Sequence, residues 1–168
     1  QVAAVDPIEI ARLKAEALIG SGQAALAQRV LNRSLANEDD PTGALRMLLA
    51  STFASEGRIK EAVAAYVAAD GSEGTRSEGH LKAGILVATD GRCADALPFF
   101  VEAQTRTGSS AQTLKLLGNC HLIEGDIAAA RGALERAYVA DKDDLDIVIP
   151  LAQTLEKSGE LKGAREAY

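Results

Sequence analysis

The sequence predicts an all-α chain arranged as an α-solenoid of antiparallel helix pairs, and three observations carry that expectation. The helix-favouring residues Ala, Leu, Glu and Arg are abundant while aromatics make up only 4%, and Val and Ile never fall into the alternating runs that mark strands. Glycines recur at a fixed step of 34 residues, at Gly57, Gly91, Gly125 and Gly159. Other columns keep the same step: Ala62, Ala96, Ala130 and Ala164; Tyr66, Phe100, Leu134 and Tyr168; Ala69, Ala103 and Ala137; and, before the turn, Ala50, Gly84, Gly118 and Ala152. Columns held this long specify a tandem array, because a lone helical hairpin cannot bury its apolar face and stacked neighbours complete the core.

The units are placed at 8–42, 43–76, 77–110, 111–144 and a partial unit at 145–168, all within a single domain 1–168. In each, two helices join at the glycine, which supplies a helix end or tight turn at little steric cost. The small residues belong where the two helices cross most closely, and the large residue fills the gap towards the next unit. The first unit follows after a one-residue slip, with Gly22, Ala27 and Leu31 ahead of the stretch NEDDPTG. Between the second and third units, DGSEGTRSEG at 70–79 has three glycines and few apolar anchors, so a long inter-repeat loop is expected. Pro98 falls inside the second helix of the third unit and should start it late or kink it. Cys93 opens that helix, and Cys120 lies within the first helix of the fourth unit. Those helices pack antiparallel, so two readings stand: small buried thiols in packing columns, or a disulfide between Cys93 and Cys120. The chain begins without Met and stops inside the second helix of its last unit, so a longer parent protein is expected.

Residues 114–137 carry a family resemblance: Leu117-Gly118, then His121, Gly125-Asp126, Ala130, Leu134 and Ala137. This pattern resembles the tetratricopeptide repeat, with its Leu-Gly, an aromatic three residues on, an Ala and a large apolar residue. The repeat's Trp is missing, its column holding Arg46, His80, Leu114 and Val148, and the closing Pro is absent from most units. The resemblance implies a right-handed superhelix whose first helices line a concave groove. Mapped residue by residue, it implies a peptide-binding groove of Met47, Ser51, Leu81, Ile85, Lys115, Asn119, Leu122, Ile149 and Gln153. Flanking positions on the same face are Arg12, Glu16, Ser55, Ala88, Thr89 and Glu156. Only Lys115 and Asn119 satisfy the Lys/Asn pair by which related domains grip a C-terminal carboxylate, so an apolar groove with a polar rim is expected instead. Such a groove suits an amphipathic helix or extended peptide.

Other chemistry finds little to build on. The net charge is −6 and no Lys/Arg cluster occurs, against nucleic acid as a partner. No apolar run reaches the roughly 18 residues of a membrane span. His80 and His121 fall in packing columns of first helices and read as buried structural histidines. The acidic runs Glu38–Asp40 and Asp141–Asp144 read as solvated helix-start caps rather than calcium loops. No nucleotide loop, nucleophile–base pair or zinc-type spacing is found. The expectation is therefore a non-enzyme without cofactor or metal that engages a protein or peptide partner. The alternative is a structural self-association module forming homo-oligomers. Alanine-rich, lysine-poor repeats resemble those of GC-rich bacteria, which leans the setting towards an envelope, pilus or secretion assembly in the periplasm or at the outer membrane, with the cytoplasm as the alternative.

Overall fold

A computed structural model of the chain describes residues 6–70, 78–108, 110–160 and 162–164. Among them every regular element is helical. The chain divides into two compact units, 1–86 and 87–168. The first contains α1 (Pro7–Gly20), α2 (Ala24–Asn37), α3 (Ala44–Ser55), α4 (Ile59–Ala69) and most of α5 (Glu78–Thr89). The second contains the end of α5, α6 (Cys93–Thr107), α7 (Ala111–Glu124), α8 (Ile127–Ala140) and α9 (Leu145–Lys157).

Each hairpin turn is made the same way. Gly22, Gly57, Gly91, Gly125 and Gly159 all adopt positive φ, between +72° and +84°. After α7, the Gly125 amide bonds to the Leu122 carbonyl at 3.3 Å and the Asp126 amide reaches back to His121 at 2.9 Å. That pair of bonds closes the helix with its last carbonyls satisfied, and it requires a left-handed residue that only glycine adopts without cost. The same two bonds recur at Gly22–Gln23, Gly57–Arg58, Gly91–Arg92 and Gly159–Glu160. The 34-residue glycine column is thus a column of helix C-termini.

The other columns form the interior. In the first unit Ala62 and Ala69 are fully buried and Tyr66 nearly so. In the second, Ala96, Phe100, Ala103, Ala130, Leu134, Ala137 and Ala164 are all buried. One core cluster joins Ala11 and Ala15 of α1 to Ala27 and Leu31 of α2 and Leu45 and Leu49 of α3. In the second unit Leu134 of α8 packs with Leu151 and Leu155 of α9, and Leu114 of α7 with Ala137 and Ile147. Each fully buried leucine contributes roughly 1.5–3 kcal/mol of burial free energy. Gly118 marks a close crossing: a Cβ there would lie 2.5 Å from Leu134 Cγ. Small residues in this column are what allow α7 and α8 to approach.

Three sequence expectations change. Asp40 is buried rather than solvated, and its carboxylate accepts the Arg46 amide at 3.1 Å and the Arg46 guanidinium at 3.2 Å. Pro98 does not delay α6, which starts at Cys93 and runs through it, as α9 runs through Pro150. His121 is half-buried, whereas His80 is buried with Nδ1 2.6 Å from Asp70. The expected loop at 70–79 lies, over 71–77, outside the described residues. Asp70 accepts the amides of Gly79 at 2.7 Å and His80 at 2.8 Å, so a buried carboxylate caps the start of α5.

Candidate peptide-binding face

All nine residues assigned to the groove lie on α3, α5, α7 and α9, the first helices of their pairs. In the second unit, Lys115 and Asn119 of α7 meet Ile149 of α9 around a cavity of about 360 Å³, completed by Leu116, Leu145, Asp146 and Pro150. Leu145 and Ile149 hold large apolar side chains in solvent, 66% and 43% exposed. Asp144 starts α9 by accepting the Asp146 amide at 2.9 Å. That turn also presents both carboxylates to Lys115, whose Nζ lies 2.8 Å from Asp144 and 3.4 Å from Asp146. The bond to Asp144 raises the Lys115 amine above its ordinary range, and the same bond lowers Asp144. Lys115 therefore has its charge engaged by two carboxylates of its own chain, which disfavours its use as a clamp for a carboxylate ligand.

In the first unit Met47 lines a second cavity of about 300 Å³ with Arg12, Glu16, Thr42, Ala44, Leu48, Glu78 and Lys82. Its charges are paired among themselves. Arg12 donates to Glu9 at 2.8 and 2.6 Å and to Glu16 at 2.6 Å, and Lys82 lies 3.0 Å from Glu78. The hydrogen bond from Arg12 holds the Glu9 carboxyl below its usual range. Ser51, Leu81 and Ile85 are half-buried beyond this cavity, and the Ser51 hydroxyl donates to the Leu48 carbonyl at 2.7 Å. Leu122 is half-buried and Gln153 exposed, both outside the α7–α9 cavity. Two further cavities, of about 330 and 380 Å³, lie along α1 and α2 and share Val30 and Arg33, with both apolar and charged neighbours.

Four of the nine column residues, Met47, Lys115, Asn119 and Ile149, line the first two of these cavities, and other lining residues lie outside the columns. Leu116, Leu145, Asp146 and Pro150 in the second unit, and Thr42, Leu48, Glu78 and Lys82 in the first, were not selected. Leu145 carries a usable signal: a large apolar residue directly after the Asp144 cap, at the first helical position, where burial is rarely complete.

Cys93 and Cys120 are buried free thiols. Burial, and then the hydrogen bond with Cys93, push the Cys120 thiol up to about 12. Among the described residues no group of His, Cys, Asp and Glu could hold a metal ion, and no helix is long and apolar enough to cross a membrane.

The tetratricopeptide repeat model matches residues 12–74 and 81–146, most of the chain. The chain belongs to the tetratricopeptide repeat family. No curated protein matches it in sequence. Among solved structures, residues 41 to the end of MamA from Desulfovibrio magneticus RS-1 superpose with a TM-score of 0.76 at 16% identity, covering 98% of this chain and 93% of that one. Pseudomonas aeruginosa PilF gives a TM-score of 0.73 at 20% identity, covering 96% of this chain and 73% of that one. YrrB, described as a tetratricopeptide repeat protein with an unusual peptide-binding site, gives 0.71 at 16% identity, covering 91% and 78%. These likenesses establish the all-α solenoid fold of antiparallel helix pairs. Membership of the family makes the chain a protein–protein interaction scaffold.

Proposed function

We propose that this tetratricopeptide repeat protein is a non-catalytic scaffold that binds an amphipathic helix or extended peptide on its first helices, with the α7–α9 cavity as anchor. The observation that carries this reading is the exposure of Leu145 and Ile149 beside Leu116, in a concavity whose lysine is already neutralised. Exposed apolar surface around a concavity marks binding sites, and such a surface rewards apolar anchor residues rather than a terminal carboxylate. The printed description of YrrB as peptide-binding supports the same class of ligand. The net charge of −6 weighs against nucleic acid. The alanine-rich composition supports a bacterial envelope, pilus or secretion assembly as the setting.

The test is selection of a displayed peptide library on the immobilised chain, followed by affinity measurement on purified wild type and Ile149→Glu. A charge placed among Leu116, Leu145 and Pro150 should weaken an enriched peptide at least about tenfold, the equivalent of ~1.4 kcal/mol. Equal affinity for both proteins would move the site elsewhere. An absence of binders, together with a chain that sediments as a dimer, would favour self-association instead.

A further inference from the structure

The seam between α1 and α2 carries a surface separate from the first-helix cavities. Arg12 and Glu16 of α1 face α3 across the cavity that Met47 lines. Ile10, Lys14 and Leu18 succeed one another at four-residue steps on the opposite side of α1, as the period of about 3.6 residues requires. Across the seam α2 supplies Leu26, Val30 and Arg33. The cavities of about 330 and 380 Å³ share Val30 and Arg33, so they form one furrow. It follows α1 from Pro7 to Leu18, a span of roughly 17 Å at about 1.5 Å per residue. Leu18 and Val30 are half-buried and pack on the core of α1, α2 and α3, which makes them its floor. Ile10 and Leu26 rise to its rim, 46% and 38% exposed.

The furrow also concentrates unpaired positive charge. Arg12, Arg46, Arg58, Arg92, Arg106 and Arg131 each pair with a carboxylate of the chain. Lys14, Arg29 and Arg33 line the furrow, are exposed, and form no ion pair among the described residues. Glu38 is the one described carboxylate that lines it, against these three cations. In a chain of net charge −6 this is a local reversal of sign.

We propose that the α1–α2 furrow receives an acidic amphipathic helix of a partner protein, about three turns long. Its apolar stripe packs on Ile10, Leu18, Leu26 and Val30, and its flanking carboxylates pair with Lys14, Arg29 and Arg33. Helix-in-groove recognition uses such a stripe, and arginine matches carboxylates in bidentate geometry. Shape decides against a flat anionic bilayer, because Leu18 and Val30 lie recessed between two helices. A second copy is disfavoured by its own charges. Its exposed Leu145 and Ile149 share α9 with Asp144 and Asp146, and Lys115 already engages both carboxylates. The proposal stands independently of the α7–α9 site.

Two stapled helical peptides of about three turns test it. They share one leucine stripe, and its flanks are glutamates in one and lysines in the other. Each is labelled with fluorescein and titrated with the full chain by anisotropy. The glutamate peptide should bind at least about tenfold tighter than the lysine peptide, and its affinity should fall as salt rises from ~0.05 to ~0.5 M. Arg33→Glu on α2 and Lys14→Glu on α1 should each weaken it at least about tenfold. Both positions are exposed, so neither change touches the core. Ile149→Glu should leave its affinity unchanged. Weakening by Ile149→Glu alone would place the peptide on the α7–α9 face and overturn this proposal while leaving that site standing. Equal affinity for the two peptides, or no binding at ~1 mM, would also overturn it. Three further results would assign the furrow to another occupant and so contradict it. One is capture by phosphatidylglycerol vesicles, lost in Arg33→Glu, without binding of the glutamate peptide. Another is a wild-type dimer that Ile10→Glu makes monomeric. The last is a rise of at least about tenfold in glutamate-peptide affinity when residues 1–5 are deleted.

Discussion

Gly118 and Gly132 lie on neighbouring helices and predict opposite responses to alanine. A Cβ at Gly118 would meet Leu134 Cγ at 2.5 Å and the Ala130 carbonyl at 3.3 Å, with Leu134 itself fully buried. Overpacking of this kind costs about 1–3 kcal/mol. At Gly132, exposed in the middle of α8, nothing lies within 4 Å of the added atom. There alanine should stabilise by about 0.5–1 kcal/mol through helix propensity alone. Urea midpoints of Gly118→Ala and Gly132→Ala should therefore shift in opposite directions from wild type. Asp70 belongs to the same scale. Its carboxylate is the buried acceptor for the Gly79 and His80 amides, so Asp70→Ala strands enclosed donors and should cost about 1–3 kcal/mol in the same assay. Gly118 was legible from its place in a small-residue column. Asp70 was not, because its partners lie nine and ten residues further along the sequence, outside any helical spacing.

At the scale of elements, Lys115 ties the middle of α7 to the first turn of α9 through Asp144. Asp144 has its folded pKa lowered from an ordinary value of 3.8 by the bond to Lys115. A lowered carboxylate contributes stability that is fully present above that ordinary value and is lost as pH falls through the lower, folded one. Lys115 is raised from 10.5, so its share is fully present below that value and disappears as pH rises through the higher, folded one. Lys115→Met should therefore unfold more easily than wild type at neutral pH, and the gap should close in strong acid and in strong base. Thermal melts across pH check this; a gap independent of pH would mean that the pair contributes nothing. Helix termini were the most legible elements, since each turn glycine dictates its own local bonds. The prolines were not. Pro98 is the sixth residue of α6 and Pro150 the sixth of α9. Each removes one internal amide bond near the start of its helix. Buried Ala96 and Phe100, and Leu151 and Leu155, keep the surrounding turns packed against their neighbours.

For the whole molecule, stability should be a sum of pair energies and nearest-neighbour interfaces. α9 covers Leu114, Leu134 and Ala137 within the second unit. Truncation before Leu145 should therefore speed hydrogen exchange in α7 and α8 while leaving α1 to α3 unchanged. Periodicity made the array readable because one packing solution repeats. The lining of the α7–α9 cavity was only partly readable. Lys115, Asn119 and Ile149 came from a column pattern, whereas the exposure of Leu145 and the pairing of Lys115 depend on how α9 settles beside α7. The central claim is that this settled surface receives a peptide. Methyl NMR during titration with a library-selected peptide tests it most directly. The account predicts shifts at Leu116, Leu145 and Ile149, with buried Leu31 unmoved. Shifts confined to Ile10, Leu13 and Leu26 of α1 and α2, with Leu145 and Ile149 unchanged, would contradict it.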